Sequence, residues 1–68
     1  MYQIGDIVTI SKEIDNSNYD RYRGMDLEII NVYVGEDEHI LYDESIYPMP
    51  LYELEGCDYL LYEYELEG

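Results

Sequence analysis

The 68-residue sequence contains no tryptophan and no phenylalanine, one cysteine, one histidine, two prolines and only three basic residues. Each shortage removes something. With Cys57 alone, no disulfide can form within the chain, and a free thiol fits a reducing, cytosolic setting. His39 and Cys57 belong to no recognisable nucleophile motif, and the chain has neither a Gly-rich phosphate loop nor a Cys/His metal spacing. The expectation is a non-enzyme with no cofactor and no metal. The stretch DNSNYD at residues 15–20 opens like a calcium loop. It then puts Asp20 where an EF-hand requires glycine, Asp26 where it requires glutamate, and Tyr19 at a ligand position. No run approaches the ~20 apolar residues of a membrane span. The opening MYQIGDIVTI lacks the basic start and long apolar stretch of a signal peptide. The expected location is the cytoplasm.

The shortage of cations is the largest. Seventeen Asp and Glu oppose three Lys and Arg, for a formal net charge of −14. Lys12, Arg21 and Arg23 all lie before residue 24, and no Lys or Arg follows. Such a chain repels nucleic acid and anionic membranes and attracts basic partners at a distance. It is not the composition of a disordered acidic tail, because 47% of the residues are hydrophobic and ten are tyrosines.

What is present reads as short strands punctuated by turns, with no amphipathic helix of useful length. IVTI at 7–10 follows the Gly5-Asp6 turn pair. Residues 11–24 form a polar connection. LEIINVYV at 27–34 is the longest β-branched run, and its broken alternation at Ile29-Ile30 predicts a bulge. Glu36-Asp37-Glu38 then forms an acidic hairpin turn, with a return strand over 39–42. Pro48 and Pro50 confine the chain to a loop or sheet edge. A strand over 51–55 ends at Gly56, Cys57-Asp58 turns, and 59–62 pairs back. The final YEYELE continues as a strand or closes in a single 3₁₀ turn. One domain over residues 1–68 is the only sensible count. Five short strands in so short a chain predict an all-β fold, a small five-stranded SH3-like barrel whose closure protects its edges.

The segments IGDIVTISKEID, YRGMDLEIINVY and LYEYELE resemble the small SH3-like barrel proteins of bacteria and their phages. In these a G-D-x-V strand opens the fold, a polar loop ends at a Y-K/R-G turn, and an acidic E-L-E phrase closes it. The chain is also similar to KOW-type barrels, although Leu27 stands near the place of their second glycine. The resemblance implies the barrel fold. RNA-binding KOW domains are basic where this chain is acidic, so direct nucleic-acid binding does not carry over.

The tail supplies a functional reading. LYELEG at 51–56 returns as LYEYELEG at 61–68. Alternation along a strand places Tyr52 and Leu54 opposite Leu51, Glu53 and Glu55, and Tyr62, Tyr64 and Leu66 opposite Glu63, Glu65 and Glu67. Two adjacent carboxylate rows, spaced ~6.6–6.8 Å along each strand, together with Glu36, Asp37 and Glu38, approach the charge density of a nucleic-acid strand, ~3.4 Å per charge. Tyrosine offers large contact area at low entropic cost, and Tyr19, Tyr22, Tyr42 and Tyr47 are candidate anchors. The expected partner surface therefore comprises Glu36, Asp37, Glu38, Asp43, Glu44, Tyr47, Glu53, Glu55, Glu63 and Glu65. The expected partner is a protein with a basic nucleic-acid-binding surface, which this chain covers as a DNA or RNA mimic. For a phage-type barrel that implies an inhibitor, anti-restriction or anti-CRISPR in kind, of a host defence nuclease, a DNA-processing protein or a transcription factor, acting in the host cytoplasm. The competing expectation is a scaffold or accessory barrel, including a homo-oligomer, whose acidity serves solubility alone.

Overall fold

The computed structural model describes residues 1–68. Its regular elements are five strands, β1 (Ile7–Ile10), β2 (Leu27–Tyr33), β3 (Leu51–Leu54), β4 (Leu60–Tyr62) and β5 (Leu66–Glu67), with three short 3₁₀ turns at Ser17–Tyr22, Glu44–Ile46 and Glu63–Glu65. The strands form one antiparallel sheet in the order β4-β3-β2-β1-β5. The fold is thus all-β, and no helix is long and apolar enough to cross a membrane.

Strand positions follow the β-branched and apolar runs. Val8, Ile10, Leu27, Ile29, Tyr52, Leu54, Leu61 and Leu66 point inward and form the core with Tyr19 and Tyr22. In β2 the pairing shifts between Ile29↔Leu54 and Asn31↔Glu53, which leaves Ile30 as the extra residue of a bulge. At the β3–β4 turn Gly56 has φ +79°, a left-handed conformation that glycine adopts without strain.

The expected return strand over 39–42 is not formed. The partner of Asn31–Tyr33 is β3, through Leu51–Glu53, and not residues 39–42. The connection from 34 to 50 satisfies its own donors instead. The Val34 amide donates to Glu38 Oε1 (2.6 Å), Glu36 N to Glu44 Oε2 (2.8 Å), and Leu41 N to His39 Nδ1 (3.1 Å). Tyr42 is buried, donates its hydroxyl to the Met49 carbonyl (2.6 Å), and meets the Tyr62 ring edge-on at 5.8 Å. Because Tyr62 is the register partner of Leu51, the connection lies over the outer face of β3 and β4, where Leu51 is also buried.

The connection from 11 to 26 is likewise tied down. Asn16 caps the first 3₁₀ turn by accepting from Asn18 N. The Arg23 guanidinium donates to the carbonyls of Ser11, Ile14 and Asn16 and to Asp20. Tyr19 and Tyr22 drop from this loop into the core.

Candidate partner-binding surface

With so few cations, most carboxylates have no ion-pair partner. Arg23 pairs with Asp20 at 3.1 Å and Arg21 with Asp58 at 3.8 Å, and Lys12 makes no ion pair. Tyrosine hydroxyls donate to four of the seventeen carboxylates. Tyr33 Oη donates to Glu53 (2.8 Å), Tyr52 Oη to Glu63 (2.8 Å), Tyr22 Oη to Asp58 (3.2 Å) and Tyr19 Oη to Glu65 (3.3 Å). Phenylalanine at these places would leave each carboxylate short of a donor. The Tyr33 hydroxyl, helped by Asn31, holds Glu53 below the usual carboxylate range, and the Tyr52 hydroxyl does the same for Glu63. The phenols move the other way. Burial, reinforced by Glu65, pushes Tyr19 up to about 12, and burial with the Glu63 bond raises Tyr52. The bond to Glu53 raises Tyr33.

This network corrects the alternation expected for the tail. After Tyr62 the chain leaves strand geometry for the 3₁₀ turn Glu63–Glu65. The turn swings Tyr64 outward, to 61% exposure, and Glu65 inward, to 8%. Glu65 reaches back to accept the Tyr62 amide (2.8 Å) while also accepting from Tyr19, so it faces the interior and not a solvent row. The signal was present in the Tyr62-x-x-Glu65 spacing, which suits a side chain bonding back to the start of its own turn. Glu53 and Glu63 are half-buried and hydrogen-bonded. Tyr19, Tyr22 and Tyr42 are buried and cannot anchor a partner. Tyr47 is exposed, its ring lying over Gly35.

The other expected residues gather in two places. On the outer face of the sheet, Glu55 sits across from Glu28, joined by the bond from Glu55 N to Glu28 O (2.9 Å), with Glu53 two residues away on the same face. Sequence reading did not single out Glu28; only the register reveals it. On the 34–50 connection, Glu36, Asp37, Glu38, Asp43 and Glu44 are all exposed, and Glu44 is drawn to Glu36 by its bond to that amide. The Ser45 hydroxyl and amide hold Asp43 below its ordinary value. Between these two acidic runs stand Ile40 and Leu41, 91% and 70% exposed.

A cleft of about 510 Å³ between the 11–24 connection and β1 is lined by Thr9, Lys12, Asp15, Asp20, Arg23 and Glu67 among others, and its Arg23 is already engaged by backbone carbonyls. No group of three or more His, Cys, Asp or Glu side chains is placed to hold a metal ion. Burial raises the Cys57 thiol, which disfavours the nucleophilic thiolate. No family model, curated protein or solved structure matches the chain.

Proposed function

We propose that this chain is a non-catalytic SH3-like barrel that binds a protein through its acidic exterior, occupying the partner's basic nucleic-acid-binding surface and inhibiting it as a phage-type inhibitor would. The strand order, with β1 between β2 and β5, supports the barrel. So does the joining of the two outermost strands, β4 and β5, by only three residues. In a flat sheet those strands would lie about 19 Å apart, at four spacings of ~4.8 Å. The 3₁₀ connection rises only about 8 Å, at ~2.0 Å per residue, which supports a curled sheet over a flat one.

The observation that carries the functional reading is the uncompensated exterior. Of seventeen carboxylates, only Glu65 is buried and only Glu53 and Glu63 are half-buried. Two of the three cations are engaged in ion pairs. A surface of one sign steers and holds a partner of the opposite sign, and a basic nucleic-acid-binding face is a common surface of that kind.

The test uses carboxylates that take no part in side-chain hydrogen bonding. Replacing Glu28, Glu36, Asp37 and Glu55 together by Lys should leave the circular dichroism spectrum unchanged and weaken partner binding roughly a hundredfold or more. A folded variant that binds as tightly as the native protein would refute the proposal and favour a scaffold role.

A further inference from the structure

We infer that the Glu36–Glu44 segment is a plug for a single-strand-binding groove, with Ile40 and Leu41 taking the place of an unstacked base and the flanking carboxylates the place of its phosphates. The inference rests on the mimic reading above and names the class of surface mimicked.

Two adjacent aliphatic side chains so fully exposed are unusual on a chain with this much polar surface. They are held, not loose. On one side, Glu38 N donates to Gly35 O (3.1 Å), and the His39 ring lies 4.7 Å from that of Tyr33. On the other, Tyr42 N donates to His39 O (3.1 Å), the Tyr42 ring is buried, and Asp43 N donates to Tyr62 Oη (2.7 Å). A tip fixed at both roots loses little freedom on binding.

Its chemistry matches one kind of nucleic-acid site better than another. Duplex readers present a convex element, usually a helix, to the major groove, and a projecting tip has no concavity to enter there. Single-strand binders have a concave, cationic groove with an aromatic floor on which bases stack. Ile40 and Leu41 suit that floor. Glu36, Asp37 and Glu38 before them and Asp43 and Glu44 after them suit its lysine and arginine walls.

The experiment is displacement followed by fluorescence anisotropy. The probe is a bacterial OB-fold single-stranded-DNA-binding protein carrying labelled oligo-dT. A helix-turn-helix repressor on its labelled operator duplex serves as comparison. The native chain should release oligo-dT at a lower concentration than it releases the duplex. Ile40→Ser/Leu41→Ser, whose fold is checked by thermal melting, should need about tenfold or more protein to release oligo-dT, with no change on the duplex. If the double variant matches the native chain, or both nucleic acids are released equally, the plug is wrong while acidic mimicry stands. If the native chain releases neither, the plug is wrong, and mimicry is decided by capture of the chain's own partner.

Discussion

Tyr19 and Glu65 meet 3.3 Å apart inside the fold, and the pair illustrates how a chain with three cations accommodates seventeen carboxylates. The phenol is an uncharged donor, so it can follow a carboxylate into the core where an ammonium would add its own desolvation cost. Removing it should be expensive. Tyr19→Phe leaves one Glu65 oxygen without its donor and should cost about 1–3 kcal/mol in urea unfolding; a cost near zero would mean that the hydroxyl bond contributes nothing. The same pairs set the response to pH. Tyr19 and Tyr52 have folded values raised above the unfolded phenol. Their contribution is therefore complete below about pH 10 and is lost as pH rises, for Tyr19 through about 12. Tyrosinate absorbance and loss of sheet signal should rise together over that range. Ionisation of all ten tyrosines with the fold intact would contradict this. Glu53 and Glu63 have lowered folded values. Their contribution is present above the unfolded glutamate value of about 4.3 and is lost as pH falls through the folded ones.

The 34–50 connection is the element on which both function and sequence legibility turn. It is anchored by the Tyr42 ring and by the bond from Asp43 N to Tyr62 Oη. Tyr42→Ala should cost about 3 kcal/mol and free the amides of Glu36 and Asp43 for rapid hydrogen exchange, with those of β1 and β2 remaining protected. Uniform loss of protection would show that the connection is inseparable from the core. The sequence of this element, HILY at 39–42, has strand composition, and nothing local announces that His39, Glu38 and Glu44 side chains will take up its amides. By contrast IVTI and LEIINVY were legible because β-branched runs and alternation matched burial on a sheet, whereas LYEL was legible as a strand but not in its outer face, where Leu51 is buried. Even the Ile29–Asn31 bulge was legible as a break in that alternation. The tail was half legible. YEYELE alternates perfectly, yet a corner at Tyr62 changes the period, so alternation assigned Glu65 and Tyr64 to the wrong sides. Glu28 became visible only through pairing across strands, which a linear pattern does not carry.

At the scale of the whole molecule, −14 charges on a fold with a radius of gyration of 11.3 Å repel one another, and salt should relieve that repulsion because the Debye length falls from ~30 Å at 0.01 M to ~3 Å at 1 M. The melting temperature should therefore rise across that range, where a salt-independent value would mean that the carboxylates are already compensated. The same uncompensated field underlies the functional claim, and one measurement addresses it most directly. The tagged protein is used to capture partners from bacterial lysate, with low-salt and high-salt washes and with or without excess single-stranded and duplex DNA. The account predicts a nucleic-acid-binding protein that is held at low salt and released both by high salt and by DNA. A captured protein indifferent to salt and DNA, or no captured protein at all, would contradict mimicry and leave the acidity as a means of staying soluble.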